Sequence, residues 1–319
     1  MATTKITWSS SLRLRKVHIF ALSLAVSVLS LTAPAYASKG GTLAPDTSFS
    51  VGYTFQLGGV EQVCSGSLIA PTVIVTAAHC VVDEAGNKSS GYIFAAPGTA
   101  LDAPIDPTLK HPSVIKVITV PGFVLTAANE KDDIAFLQLD IPLATKGFIR
   151  VATPEEVASL ADKAQLHGYG FGDVFETDSP YSPFTRTYPV QWNSAKGSTN
   201  TVQITSANAS ACSGDSGGPI TAKLPSGEEV LVAAMSGAAA VVNRCGTANN
   251  GIYTMRVTVV HPYLNLASEI LKTSTPVATA KPTVKSYKIT CVKGKVKKFV
   301  TGTKPKCPTG YKQTAKVLF

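Results

Sequence analysis

The sequence predicts an all-β fold, a barrel or a sandwich of short strands, and three observations support this. Between about residues 50 and 256 the apolar runs are short, are rich in Val, Ile, Thr, Tyr and Phe, and are separated by Gly, Pro, Asn and Asp. Only two stretches carry helical signals. The composition changes after Leu271, so a separate element is expected to follow the β domain.

Residues 1–37 have the order of a secretory signal peptide. A basic front is followed by the apolar run 19–31 and by the small-residue cleavage site Ala35-Tyr36-Ala37. The apolar run is too short to span a bilayer, although an uncleaved anchor is the alternative. No later segment is apolar enough to cross a membrane. The mature chain is therefore expected to begin at Ser38 and to work outside the cytoplasm.

The strands are predicted from β-branched and aromatic runs such as 51–55, 73–76, 114–118 and 230–233. Thr153 and Glu156 form a capping box around Pro154, which predicts a short helix ending near Lys163. A second helix is predicted over residues 260–271, because three apolar residues fall on one face: Leu264, Ala267 and Leu271.

All six cysteines lie in the exported part, at Cys64, Cys80, Cys212, Cys245, Cys291 and Cys307. An even number in an exported chain indicates disulfides, and the count alone leaves about fifteen connectivities open. A zinc site is the competing interpretation. It is disfavoured because no CxxC pair and no HxxxH spacing occurs.

The net charge of +9 divides unevenly along the chain. Residues 38–271 are acidic overall, with a net charge of −7, whereas residues 272–319 contain 12 lysines and no acid. Two parts of opposite charge are expected to have different roles.

The strongest chemical signal is the run from Cys212 to Pro219, which reads CSGDSGGP. Its glycines allow a tight turn that presents the hydroxyl of Ser216 while backbone N–H groups point into one pocket, as an oxyanion hole requires. A hydroxyl needs a base, and His79 stands at the end of an apolar strand. Asp132 and Asp133 place a carboxylate directly before another apolar strand.

The segments TAAHC, DIAFL and GDSGGP, in the order His, Asp, Ser, resemble the chymotrypsin/trypsin family of serine peptidases over about residues 38–271. This resemblance implies two six-stranded antiparallel β-barrels with a C-terminal helix and a catalytic cleft between the barrels. It implies His79, Asp133 and Ser216 as the triad, with Gly214 and Ser216 forming the oxyanion hole. Asp133 is preferred to Asp132 because the family pattern places the acid directly before the "IA" pair.

Further features follow from the same resemblance. It implies disulfides between Cys64 and Cys80 and between Cys212 and Cys245. It places Ser210 at the base of the specificity pocket, with walls from Ser236, Ala238 and Gly251. A serine at the base, instead of an acid, favours cleavage after an apolar residue. Asp215 is expected to bind the amine that signal-peptide removal exposes at Ser38, and Gly237 stands where the family usually has Trp.

The end of the chain divides into a Pro/Thr/Lys linker, residues 272–286, and a basic module, residues 287–319. A Cys291–Cys307 bridge would close a hairpin too small to be held by its own core. The module resembles short lysine-rich, cysteine-paired elements of secreted actinobacterial proteins. It favours attachment to an anionic cell-surface polymer, with a solubilising tail as the alternative. Nucleic acid is disfavoured as a partner because the protein is expected outside the cell and the module contains few aromatic residues.

The sequence therefore predicts a secreted, cell-surface-associated serine endopeptidase that cleaves protein or peptide substrates through an acyl-enzyme. No metal or cofactor is required. The alternatives are a catalytically silent binding protein on the same fold, tethered by its basic tail, and an esterase that uses the same triad.

Overall fold

The computed structural model describes a large part of the chain. The described residues are 39–44, 46–95, 99–101, 110–124, 131–145, 147–173, 181–182, 184–197, 200–239, 241–242, 244–274, 287–293, 296–302 and 306–318. The predicted signal peptide 1–37, the expected N-terminal Ser38 and most of the predicted linker lie outside this part.

Short strands make up about half of the described residues. In chain order they are β1 (Thr42–Leu43), β2 (Ser50–Leu57), β3 (Val60–Ala70), β4 (Val73–Thr76), β5 (Ser90–Ala95), β6 (Val114–Thr119), β7 (Ala135–Leu139), β8 (Gln165–Gly170), β9 (Arg186–Gly197), β10 (Thr201–Ser206), β11 (Pro219–Lys223), β12 (Glu229–Ala238), β13 (Val241–Val242), β14 (Cys245–Gly246), β15 (Ala248–Asn249), β16 (Ile252–Val259), β17 (Tyr287–Lys293), β18 (Val296–Gly302) and β19 (Lys312–Leu318). Two α-helices, α1 (Pro154–Ala158) and α2 (Ser268–Thr273), and two 3-10 turns, Ala78–Cys80 and His261–Tyr263, complete the set. The all-β prediction is confirmed.

The second half of the β domain is a closed six-stranded antiparallel barrel. Its strands follow the order β8, β9, β10, β16, β12 and β11, and β8 closes the ring because it pairs with both β9 and β11. A closed barrel leaves no unpaired sheet edge, and its interior is filled by side chains. The core of this barrel contains Tyr188, Ile204, Val232, Met255 and Val257.

The first half is a curled sheet in the order β5, β2, β3, β4, β7 and β6. Within the described residues β5 pairs only with β2, and β6 pairs only with β7, so the sheet is a half-barrel. The predicted pair of six-stranded antiparallel β-structures is therefore confirmed, with this half present as a curled half-barrel among the described residues. Its strands are antiparallel, as predicted, and a core of apolar side chains lies on its concave face.

A shared apolar layer joins the half-barrel to the closed barrel. Val75 on β4 and Phe136 on β7 pack in one cluster with Leu231 and Ala234 on β12 and with Val260, all buried. Each large side chain in such a layer contributes about 1.5–3 kcal/mol of burial free energy. This layer fixes the position of β4 and β7 relative to β12, and the residues considered below lie at its edge.

The two predicted helices are both present but shorter. The capping box of α1 is confirmed, since Thr153 Oγ1 accepts from the Glu156 N–H at 3.2 Å and Glu156 Oε2 accepts from the Thr153 N–H at 2.8 Å. The helix ends at Ala158, before Lys163, whose φ of 63° is not helical. The second prediction, 260–271, becomes the 3-10 turn His261–Tyr263 followed by α2.

The basic module forms a small antiparallel sheet in the order β18, β17 and β19. The Cys291–Cys307 disulfide closes it, and Lys298 Nζ lies 5.2 Å from the centre of the Tyr311 ring. Across the described residues, no helix has both the length and the apolar character needed to span a membrane.

Candidate active site

His79 is positioned by the end of β4 and by a disulfide. The strand passes into the 3-10 turn Ala78–Cys80, and Cys80 is bonded to Cys64 on β3. Thr76, the last residue of β4, donates through its Oγ1 to the Ser65 carbonyl at 2.8 Å. The His79 side chain is 22% exposed.

Asp133 lies directly before β7, and its carboxylate is almost fully buried. Its Oδ1 accepts from the His79 backbone N–H at 2.9 Å, and its Oδ2 lies 2.7 Å from His79 Nδ1. Ser236 Oγ donates to the same Oδ2 at 2.7 Å. Asp132 instead accepts from the Tyr263 hydroxyl, so Asp133 and not Asp132 contacts His79.

The contact between these two side chains changes the pKa of each. Burial raises the pKa of Asp133, but the charge and hydrogen bonds of His79 and Ser236 outweigh burial and hold it below its usual range. Burial lowers the pKa of His79, whereas the charge and hydrogen bond of Asp133 raise it to a net value above normal, and the charge of Arg256 opposes this rise. Because the folded-state pKa of Asp133 is depressed, its stabilising contribution is present above the unfolded value of about 3.9 and is lost as the pH falls through the folded value.

Ser216 stands in a glycine turn packed against β3. Its carbonyl accepts from the Ser65 N–H at 2.8 Å, and the following Gly217 has φ 79°, where a Cβ would lie 2.1 Å from Thr76 Oγ1. A residue with a side chain would therefore force the turn away from β4. The half-exposed Ser216 hydroxyl makes no hydrogen bond to any residue that the structure describes.

The backbone N–H groups of Gly214 and Ser216 likewise donate to no described residue, whereas their neighbours are engaged. The Asp215 N–H donates to the Cys212 carbonyl at 3.0 Å, and the Gly217 N–H donates to the Met235 carbonyl at 2.7 Å. Gly214 has φ 98°, a conformation that favours glycine. The turn thus presents two donors beside the hydroxyl of Ser216.

The buried carboxylate of Asp215 holds this turn from behind. Its Oδ1 accepts from the Gly172 N–H at 2.9 Å and its Oδ2 accepts from the Cys212 N–H at 2.8 Å. The expected partner amine at Ser38 lies outside the described residues. The next residue, Lys39, is described, and its carbonyl accepts from the Ser210 N–H at 2.9 Å.

Ser236 reaches Asp133 because it is the extra residue of a β-bulge. Met235 pairs with Val257 and Gly237 pairs with Arg256, so two steps on β12 oppose one step on β16. Bulges of this kind turn a side chain toward a site. Here the turned side chain is the hydroxyl that donates to the buried carboxylate.

Ser210 and Ala238, two of the four predicted pocket residues, lie close together, because a Cβ on Gly246 would contact both of them. Ser210 is fully buried, Ser236 and Ala238 lie on β12, and Cys212 is bonded to Cys245 beside them. Gly251, the fourth of these residues, stays a prediction. It lies exposed in the turn between β15 and β16, with φ 78° and open space around the position of a Cβ.

Two residues that the sequence analysis did not consider, Gly246 and Met255, lie beside Ser210 and Ala238. A Cβ on Gly246 would lie 2.0 Å from Ser210 Oγ and 2.9 Å from the Ala238 Cβ. Met255, paired opposite Ala238, is fully buried, and its Sδ accepts from the Ala211 N–H at 3.2 Å. The space beside Ser210 is therefore narrow. No local signal marks Met255, because its place depends on the register.

A group of metal-ligating side chains occurs among the described residues at Cys64, His79 and Cys80. Its two sulfurs are joined to each other in a disulfide and offer no thiolate. Of these three side chains, the imidazole of His79 is the one that keeps a free ligand atom.

Comparison with known proteins identifies the family. The trypsin family model matches residues 38–264. The chain belongs to the trypsin family. This trypsin-family chain is similar to the serine protease SP24D of Anopheles gambiae, with 29% identity over 66% of the chain and 73% of the relative. It is also similar to trypsin-3 of Salmo salar, with 26% identity over 54% of the chain and 72% of the relative.

A longer relative is the modular serine protease of Drosophila melanogaster, which is 29% identical over 51% of the chain. The chain spans only 28% of the length of that protein. These three relatives come from insects and a fish, and none of them bears on the predicted resemblance of the basic module to actinobacterial elements. At the level of the family, the matches support a serine protease hydrolase.

The first prediction separates the two adjacent acids. Asp133→Asn is expected to lower the imidazole pKa of His79 below the ordinary value of about 6.5, because the charge that raises it is lost while burial remains. An NMR titration of the histidine ring signals measures this. Asp132→Asn is the matched control and should leave the pKa of His79 unchanged; a shift of equal size in both variants would contradict the assignment.

Proposed function

We propose that this trypsin-family chain is a secreted serine endopeptidase with His79, Asp133 and Ser216 as its catalytic triad. The observation that carries the proposal is the hydrogen-bonded set of His79, Asp133 and Ser236 at the edge of the turn that presents Ser216. Neither an intact network nor a free hydroxyl would be needed by a protein that used the fold only for binding.

The proposed reaction follows the established template for such a triad. Ser216 Oγ attacks the carbonyl carbon of the scissile bond and passes its proton to His79 Nε2. Asp133 holds the proton on Nδ1 and stabilises the imidazolium through the 2.7 Å contact. His79 then protonates the leaving amine, which gives the acyl-enzyme, and a water molecule deprotonated by His79 releases the acid product.

The backbone N–H groups of Gly214 and Ser216 are proposed to bind the oxyanion that forms in each step. They are two donors with no described acceptor, on a turn held by the buried Asp215. Donors fixed in advance stabilise the transition state without reorganisation, and loss of one typically costs about 10²–10³ in turnover.

We further propose that the residue before the cleaved bond is small and apolar. Ser210, proposed at the bottom of the pocket, is buried and carries no charge, and Ala238, Gly246 and Met255 leave little room beside it. A Lys or Arg side chain of the substrate would find no carboxylate at the bottom of the pocket. A bulky aromatic ring would need the volume that Met255 fills.

Residues 1–37 are proposed as a signal peptide, 38–271 as the peptidase domain, 272–286 as a linker and 287–319 as a module that binds an anionic cell-surface polymer. The module carries lysines that are exposed among its described residues, at Lys293, Lys297, Lys298, Lys306 and Lys312. Such a cluster attracts polyanions through a salt-dependent field.

The second prediction tests the triad. A fluorophosphonate probe is added to secreted protein that begins at residue 38. It is expected to label Ser216 alone, as located by peptide mass mapping. Ser216→Ala should abolish labelling, and peptide hydrolysis should fall by about a million-fold. A folded protein that is not labelled would favour the silent binding protein, and turnover of esters without peptide cleavage would favour the esterase.

The third prediction tests the narrow pocket. Met255→Ala is expected to raise kcat/KM for a substrate with Phe before the cleaved bond, relative to one with Ala, by about tenfold or more. Ile204→Ala removes a comparable buried side chain from the same barrel core and should leave the Phe/Ala ratio unchanged. A ratio that does not respond to Met255→Ala would show that another residue sets the size limit.

The fourth prediction concerns the basic module. Replacing Lys293, Lys297 and Lys306 with Gln in the full mature chain should weaken retention on immobilised poly(glycerol phosphate) and flatten its dependence on salt. Replacing Lys88, Lys131 and Lys223, which are exposed on the peptidase domain, changes the net charge equally and serves as the control. Equal loss in both triple variants would indicate a general charge effect and not a binding module.

A further inference from the structure

Arg256 occupies a place that the motif analysis did not consider. The bulge at Ser236 sets Gly237 opposite Arg256 in the β12–β16 ladder. Arg256 Nη2 lies 4.0 Å from the position that a Cβ on Gly237 would take, so the guanidinium covers the strand where Gly237 has no side chain. The residue before Gly237 is Ser236, which donates to Asp133. The guanidinium therefore lies one residue from the proposed catalytic network.

The charge of Arg256 also reaches His79. It is one of the causes that lower the pKa of His79. Both side chains are partly exposed. The guanidinium is partly buried as well, which strengthens its interaction with an anion relative to an open surface.

Two amide side chains continue from Arg256 across the barrel. Gln203 on β10 pairs directly with Arg256, and Asn193 on β9 pairs directly with Gln203. Directly paired residues of antiparallel strands project from the same face of a sheet. The three partly exposed side chains, Asn193, Gln203 and Arg256, therefore form a polar row across β9, β10 and β16. Such a row offers a fork of donors that suits a carboxylate.

The direction of the substrate follows from the proposed function, on which this inference rests. If the residue before the scissile bond faces Ser210 and Ala238, the residue before that one faces the opposite way, because side chains of an extended peptide alternate. That opposite side is the side of Gly237 and its partner Arg256, because Gly237 and Ala238 are neighbours on β12 and neighbouring strand residues project from opposite faces.

We propose that Arg256 is a specificity-determining residue that selects an Asp or Glu side chain at the second position before the cleaved bond. The carboxylate of the substrate binds the guanidinium beside Gly237 and receives further donors from the polar row. Arg256 and the substrate carboxylate take no part in bond cleavage, so the selection acts on the binding and orientation of the peptide.

The test compares peptide amides that differ only at this position, with Glu, Gln, Leu or Lys, and with Ala before the cleaved bond. Wild-type enzyme from residue 38 onward is expected to prefer Glu to Gln by about tenfold in kcat/KM. This preference should weaken as the salt concentration rises. Arg256→Gln should remove the preference, and Arg256→Lys should keep part of it, because the charge remains while the fork is lost. Lys223→Gln, an exposed change elsewhere on the barrel, should leave it intact.

Active-site titration with the fluorophosphonate probe is carried out first on every variant. If wild type is not labelled at Ser216, the proposed function fails and the preference has no meaning. If all variants are labelled but Glu and Gln are cleaved equally by wild type, or Arg256→Gln keeps the preference, the proposed role of Arg256 is overturned while the proposed function stands.

Discussion

The buried carboxylate of Asp133 is the constraint on which the arrangement of the site depends. Burying a charge costs several kcal/mol unless donors replace its water. Asp133 obtains them from the His79 N–H, the His79 ring and the Ser236 hydroxyl. His79 lies in the turn that follows β4 of the half-barrel, whereas Ser236 lies on β12 of the closed barrel. The carboxylate is satisfied only when the half-barrel and the closed barrel meet in one register. Folding and assembly of the site are therefore the same event at this point.

A second buried carboxylate, Asp215, does for the serine turn what Asp133 does for the histidine. It accepts from the Gly172 and Cys212 N–H groups, and so it ties the turn to the loop after β8 and to its own start. The turn can come this close to β4 only because Gly217 has no side chain to collide with Thr76. Two buried charges and a few glycines thus set the positions of His79 and of the serine turn, and the apolar layer containing Phe136 supplies the rigid support.

His79, Asp133 and Ser216 could be proposed as site residues from the sequence because each stands in a short segment whose chemistry is local and which resembles a family motif. A glycine-rich turn, a histidine after an apolar strand and an acid before another can all be recognised without knowing the fold. The pocket could not be predicted in this way. The pocket residues, Gly251 among them, were taken from the family resemblance, which gives no account of the bulge at Ser236 or of the places of Met255 and Gly246 beside Ser210.

The sequence by itself determined the all-β class, the capping box of α1 and the residues on which the proposed chemistry depends, because strand propensity, helix capping and turn chemistry act over a few neighbouring residues. Only the tertiary structure decided that the first sheet stays a half-barrel, that Ser236 reaches Asp133, and that Met255 and Arg256 flank β12. Each of these depends on which residues pair across strands that lie far apart in the chain. Pairing register is a property of the assembled sheet, since one bulged residue changes every partner beyond it.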